Sequence, residues 1–326
     1  MELYLNSFGS YLYKSGELFL IKISDKTKKM SPKRLSSIII SSAATISTDA
    51  IQLAMEHNID IIFIDKYGNP YGRIWFPKIG STTYIRRRLL EIYNDDCGLE
   101  FVLEWVLQKV NNQIDFIKLL LSKRPQKKQS FDKRIVAMEK LKSKLLSLTG
   151  KLSENSALIM AYEGNISRYY FGAMSDLLPE RYAFKGRSSR PAKDTFNAFL
   201  NYGYGILYSK VERALIIAGL DPYIGLLHSD NYNKKSLVFD FIESYRIFVE
   251  QPVFYLFSRC KVKKQHYKQV KNGFQLNEEG KKFFVAELLE HFSKTTRHKS
   301  RNIQQINQIQ LDAHAFANEL IADNSF

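Results

Sequence analysis

The spacing of apolar and polar positions changes character once along this chain. Through residue 76 the apolar runs are short and of strand length. Glu17–Ile23 alternates, Ser37–Ile40 is a brief apolar run, and Ile59–Ile64 is another rich in β-branched residues. Between the last two, Ser47 or Thr48 can cap a short amphipathic helix carrying Ile51, Leu53, Ala54 and Met55. The stretch Asp65-Lys-Tyr-Gly-Asn-Pro70 supplies turn chemistry before a further run, Tyr71–Phe76. These patterns predict a small sheet domain with one helix, residues 1–76.

Residues 77–83, PKIGSTT, read as a linker, and beyond them the apolar period becomes helical. Leu99–Leu121 and Ile135–Leu148 carry apolar residues at helical spacing, the first stopping before Pro125 and the second before Gly150. Ser156–Leu178, Asn197–Ala218, Leu237–Val249 and Ile303–Ala322 repeat the pattern. The expected fold class is therefore α+β and multidomain. A small N-terminal β-rich domain is followed by a larger all-α domain over residues 84–326.

Charge changes the picture more than composition does. Of 326 residues, 48 are Lys or Arg and 33 Asp or Glu, a surplus of +15 that favours a polyanionic partner. With 19 Tyr and 22 Phe beside that charge, nucleic acid is the favoured polyanion. No apolar run reaches the roughly 18 to 20 residues of a membrane span, and the N-terminus lacks the form of a signal peptide. A cytoplasmic protein with no membrane partner is expected. Two cysteines, Cys97 and Cys260, give neither a disulfide framework nor a CxxC pair for zinc. The runs Arg86–Arg88 and Lys123–Lys128 read as solvated faces.

The candidate chemistry lies on apolar helices. The stretch Ala218–Arg246 presents His228 after a loop, then Asp240 and Glu243 on a helix apolar nearly all round. At i,i+3 the two carboxylates share one side, and a buried carboxylate needs a partner or a metal. A salt bridge from Glu243 to Arg246 is the plain alternative. Glu163 is the third acid. At about 100° per residue it falls about 40° from Ile159 and 20° from Tyr170, inside an apolar stripe. Gly164 beside it is consistent with close approach of a backbone or a ligand. Two carboxylates and an imidazole, with no thiolate, suit Mg²⁺ or Mn²⁺. A basic loop, Lys185–Lys193, and Arg168 would position a phosphodiester beside that cation. Arg168, Arg187 and Arg190 are the candidate phosphate contacts.

These residues sit in segments that resemble the CRISPR-associated Cas one family, the integrase and endonuclease of spacer acquisition. The resemblance begins with LYLNSFGSYLYKSGELFLI, ISTDAIQLAMEHNIDIIFID and GNPYGRI. It continues through YEGNISRYYF, GRSSRPAKDTFNAFLNYGYGILYSKV and AGLDPYIGLLHSD to SLVFDFIESYR and FQLNEEGKK. It implies a β-rich domain followed by a helical catalytic domain. It also implies metal ligands at Glu163, His228 and Glu243, with Asp240 as the neighbouring acid orienting His228 or a bound water. The implied activity joins short-DNA 3′-hydroxyls to the CRISPR repeat by transesterification. The implied partners are DNA, a second copy of the chain and a small Cas two-type protein; the strand edges of the β-rich domain suggest that the homodimer is held at least partly through residues 1–76. Two departures stand out: Asn231-Tyr-Asn-Lys-Lys235 replaces a basic Pro/Gly-containing linker, and Glu250 replaces an Asp before Pro252-Val253. The rival expectation is a non-catalytic nucleic-acid scaffold whose buried acids are structural.

Overall fold

The computed structural model describes residues 2–35, 37–57, 59–64, 70–74, 82–93, 95–189, 191–228, 234–298 and 301–322. The expected turn at 65–69, the linker residues 77–81, and Arg190 lie outside the described residues. The chain divides into two compact units, Met1–Ile79 and Gly80–Phe326.

The first unit is built from two four-stranded sheets and one helix. Strands β1 (Glu2–Leu5), β5 (Ser37–Ile40) and β7 (Asp60–Ile64) pair in parallel, and β8 (Pro70–Ile74) closes that sheet antiparallel to β7. The central β5, SIII, is apolar because parallel strands are covered on both faces; Ser37, Ile38 and Ile40 are buried. The second sheet runs in the order β4 (Lys26–Met30), β3 (Leu18–Ile23), β2 (Ser10–Ser15), β6 (Ala44–Ile46). In β4 every residue but Met30 is exposed, so lysines 26, 28 and 29 occupy a sheet edge. Charge on an edge opposes strand pairing by another chain. Helix α1 (Thr48–Glu56) starts where the Ser47 hydroxyl accepts the Ala50 amide at 3.2 Å. It buries Ala50, Leu53 and Ala54 against β2 and β7.

The second unit is mostly helical, as the periodicity predicts. Its first helix, α2 (Thr82–Ile92), begins inside the expected linker and buries Ile85, Leu89 and Ile92 at i, i+4 and i+7. The Arg86–Arg88 run hides that pattern in the sequence. These arginines are not merely solvated: Arg86 pairs with Asp221 at 3.0 Å and Arg88 with Glu91 at 3.3 Å. Helices α3 (Asp96–Ser122), α4 (Lys128–Leu146) and α5 (Leu152–Leu177) pack on one another. Helix α6 (Thr195–Ile217) is capped by Asp194, whose carboxylate accepts the Asn197 amide at 2.7 Å. It packs against α7 (Ser236–Phe241), α8 (Ile247–Ser258) and α10 (Gln305–Ala322).

Two features of this unit depart from the periodicity. The expected single helix over Leu237–Val249 is broken by a 3₁₀ turn, Ile242–Tyr245, between α7 and α8. At the break the Ser244 carbonyl accepts the Asn112 side-chain amide of α3 at 3.0 Å, a tertiary bond that apolar spacing cannot reveal. The unit also carries two hairpins, β9 (Tyr267–Val270) with β10 (Gly273–Leu276) and β11 (Thr295–His298) with β12 (Arg301–Gln304). Their strands are four residues long and mostly polar, too short for a legible alternation. Helix α9 (Glu278–Phe292) lies between them. No described helix is long and apolar enough to cross a membrane.

His291, in the last turn of α9, generates a prediction. A helix C-terminus favours imidazolium, but burial and then Lys294 push its pKa down to about 4 from an ordinary 6.5. Protonation therefore favours the unfolded chain. Its stability contribution is intact above pH 6.5 and is lost as pH falls toward 4. Denaturant titrations from pH 7 to 4 should show a stability loss that His291→Leu reduces; equal slopes for both proteins would contradict it.

Candidate active site

Three elements bring charge to one place inside the helical unit. Lys109 of α3 is 7% exposed, and its ammonium contacts the carboxylates of both Glu163 on α5 and Glu243 in the 3₁₀ turn. Lys109 donates to Glu163 Oε1, and its contact with Glu243 Oε2 is 2.6 Å. The latter is an ion pair without hydrogen-bond alignment. Glu163 also accepts the Ser167 hydroxyl at 2.7 Å, one helical turn on. Glu243 Oε1 accepts Arg246 Nε at 2.9 Å and a second guanidinium nitrogen at 2.6 Å. Burial alone would raise the Glu243 pKa, but Arg246 and Lys109 outweigh it and hold it down at about 2. Burial likewise works against charge on Lys109, and Glu243 and Glu163 reverse that, holding its pKa above the ordinary value.

Glu163, placed by its spacing in an apolar stripe of α5, thus has a cationic partner. The stripe of α3 carries the matching cation. The i,i+3 salt bridge from Glu243 to Arg246 is present as well.

His228 and Asp240 form a second arrangement. Asp240 is 2% exposed, and its Oδ2 accepts the backbone amides of Leu226 at 2.7 Å and Leu227 at 3.1 Å. Its Oδ1 accepts the His228 amide at 3.1 Å and lies 2.5 Å from His228 Nδ1. A carboxylate on Nδ1 fixes the ring's orientation and leaves Nε2 as the atom free to act as a ligand. Asp240 therefore orients His228, while Glu243 pairs with Lys109 and Arg246. Gly225 permits this loop to lie on α7, since a Cβ there would meet Ser236 Cβ at 2.3 Å and Asp240 Oδ2 at 3.1 Å. At Gly164, by contrast, a Cβ would meet no atom of another element within 4 Å among the described residues.

A cleft of about 590 Å³ joins the two arrangements. Lys109, Glu163, His228, Glu243 and Arg246 line it, with Arg168, Lys185 and Arg187 contributing further positive charge. The basic loop is pinned. Asn197, fully buried, accepts Ser188 N at 3.0 Å and Arg187 at 2.9 Å, and donates to Gly186 O at 2.9 Å. Arg187 and Arg246 both lie over the Tyr204 ring, at 5.2 and 4.9 Å from its centre. The Tyr204 hydroxyl donates to Glu250 at 2.6 Å, and Glu250 lines the same cleft. Glu250 thus lies in the same cleft as Glu163, His228 and Glu243. Burial pushes the Glu250 pKa up despite the Tyr204 hydrogen bond.

The donor set fits a hard dication in kind, with two carboxylates converging on one cationic point and an imidazole in the same cleft. The cation at that point is Lys109. Among the described residues no three His, Cys, Asp or Glu side chains already stand at metal-binding separation. Sequence reasoning missed Lys109, although the signal was available. It lies about 20° from Val102 and 40° from Trp105 on the α3 helical wheel, among buried residues, as Glu163 does on α5.

Comparison with known proteins places the chain. The family described as CRISPR associated protein Cas1 matches residues 3–290. The chain belongs to the Cas1 family. A CRISPR-associated endonuclease Cas1 of Archaeoglobus fulgidus is 32% identical over 96% of this chain and 94% of that protein. The structure of a Cas1 protein from Thermotoga maritima shares the fold, with a TM-score of 0.78 at 22% identity, covering 100% of this chain and 99% of that one. A casposase bound to an integration product has the same fold, with a TM-score of 0.81 at 22% identity and coverage of 100% and 92%. The order of a β-rich part followed by a mostly helical one in this chain matches the Thermotoga maritima Cas1 structure.

The Asp240 clamp makes a direct prediction. Asp240→Ala leaves three backbone amides and the His228 ring without their acceptor, at a cost of about 3 kcal/mol or more. Urea unfolding should show that loss, with Asp240→Asn retaining part of the stability. An Asp240→Ala protein as stable as the parent would remove the clamp.

Proposed function

We propose that this Cas1-family chain is a divalent-metal-dependent DNA endonuclease and integrase of CRISPR adaptation. The observation that carries the reading is the convergence of Glu163 and Glu243 on one cation, in a basic cleft that His228 also lines. The relative from Archaeoglobus fulgidus is named an endonuclease, and the casposase with this fold is bound to an integration product. On this reading Glu163, Glu243 and His228 hold Mg²⁺ or Mn²⁺, which supplies Lewis-acid chemistry at a phosphate. Asp240 keeps the His228 ring in place, with Nδ1 occupied and Nε2 toward the cleft. Arg168 and Arg187 hold the DNA backbone, and the Asn197 tether keeps Arg187 on the rim. In joining, a DNA 3′-hydroxyl would attack a repeat phosphodiester, forming the new P–O bond as the P–O3′ bond of the repeat breaks and its 3′-oxygen leaves as a hydroxyl; in cleavage, water would take the place of the attacking hydroxyl.

Partners follow from the same reading. A structure of similar fold is a Cas6-RT-Cas1–Cas2 complex, with a TM-score of 0.76 and 23% identity. Joining two ends of a short DNA requires two copies of the site at a fixed distance. A homodimer held through the β-rich unit, with a small Cas2-type protein, would set that distance. Strand β4, with its exposed lysines, suits DNA better than a second strand.

A gel assay with short duplex DNA and a supercoiled repeat plasmid, with and without Mn²⁺, tests the activity. Glu163→Ala and His228→Ala should each abolish Mn²⁺-dependent cutting and joining while DNA binding persists. Because Lys109 keeps Glu243 as a partner, Glu163→Ala should cost only about 1.5 kcal/mol of stability. Metal-independent activity would overturn the metal reading; no activity of the parent with or without Mn²⁺, together with a Glu163→Ala protein that has largely unfolded, would favour the non-catalytic scaffold.

The +15 surplus predicts the binding term separately. DNA affinity should fall with salt at about −0.9 log units per neutralised phosphate, without need of metal. A flat response between about 50 and 200 mM salt would remove the backbone-binding reading.

A further inference from the structure

We propose that the Lys109 ammonium is the resident counter-cation of the Glu163–Glu243 pair, and that a divalent cation reaches these carboxylates only by displacing it. The inference rests on the metal reading above and concerns what that reading demands of this chain. A cation bridging the two side chains must take an oxygen from each. On Glu243 both oxygens are already held by cations, Oε1 by Arg246 and Oε2 by Lys109. Lys109 also occupies Oε1 of Glu163.

Of the two cations, Lys109 is the one able to leave. Arg246 sits three residues from Glu243, binds it through two nitrogens, and lies over Tyr204 within 3.5 Å of the Tyr208 hydroxyl. A planar guanidinium held by two N–H bonds to one carboxylate oxygen and by a ring face does not exchange easily. An ammonium on a four-carbon stem is a point charge with free rotors. Lys109 lines the cleft, so its head group can swing into it without unfolding α3.

The charge balance points the same way. With Lys109 and Arg246 against Glu163 and Glu243, the network is neutral. A dication added beside an unmoved Lys109 would face an adjacent ammonium and be repelled by it even at the effective dielectric of a protein. Once displaced into the cleft, the ammonium lies on the side where Arg168, Lys185 and Arg187 gather positive charge. Metal loading would thus turn a neutral floor into a cationic one that receives an anionic substrate.

Mn²⁺ binding to the full chain without DNA, read from the electron paramagnetic resonance signal of free Mn²⁺, tests this. Lys109→Met removes the competitor and should bind Mn²⁺ about tenfold tighter than the parent. Lys109→Arg keeps a cation and should bind no tighter. Metal-free Lys109→Met should unfold at a lower temperature and gain more from Mn²⁺ than the parent does. Lys109→Gln is the second neutral variant if methionine does not fold. Equal or weaker Mn²⁺ binding by the neutral variants, with the parent binding normally, overturns the displacement. Glu163→Gln separates the two levels: if no protein binds Mn²⁺, or binding survives Glu163→Gln, the metal reading fails and the displacement fails with it.

Discussion

Charge buried among helices has to be balanced where it stands, and the ion network around Lys109 is where this helical unit meets that requirement. Leaving one partner of a buried pair alone costs about 3 to 5 kcal/mol, a large share of a domain's net stability. The apolar stripes of α3 and α5 could slide past each other with modest loss, since Val, Ile and Leu fill space in several registers. Lys109 and Glu163 permit one register. Glu243 and Arg246 then tie the 3₁₀ turn to the same point, so three elements are fixed by four charges. Electroneutrality, more than shape, sets the floor of the cleft.

His228 answers to a different constraint. Its loop is held by one carboxylate that gathers three backbone amides and a ring nitrogen. Nothing in that clamp depends on Lys109, so the cleft has two separately anchored walls. This separation explains why Asp240 and Glu243, three residues apart, do different things. Asp240 ends its role in structure, holding the loop that carries His228. Glu243 faces the cleft and pairs with cations alone.

Much of this was legible in the sequence, and the failures share a cause. Apolar period found β3, β5, β7 and five of the long helices, because burial writes directly onto spacing. It found Glu163 as a charge on the wrong face, and Glu243 and Asp240 on an apolar helix. It did not find what they pair with, because pairing is tertiary: Lys109 lies 54 residues from Glu163. The same reasoning applied to α3 would have exposed a lysine among Val102, Trp105 and Val106, and two misplaced charges of opposite sign suggest each other. The 3₁₀ break was invisible for the same reason, since Asn112 on another helix takes the Ser244 carbonyl. The short hairpins carried too few residues for any period to show.

The overall surplus of +15 and the neutral floor of the cleft divide the work on the proposed reading. Long-range attraction of a polyanion needs only net charge and rim residues such as Arg168 and Lys185, and it acts before any local chemistry. A floor that were cationic at rest would add little to that attraction, since the rim and surface already supply it. It would also hold phosphates wherever DNA touched it. A floor balanced by its own lysine is inert until a second cation arrives. Were a metal to load there, selectivity for that state would follow from a charge the protein already carries, since Glu163 and Glu243 serve Lys109 first.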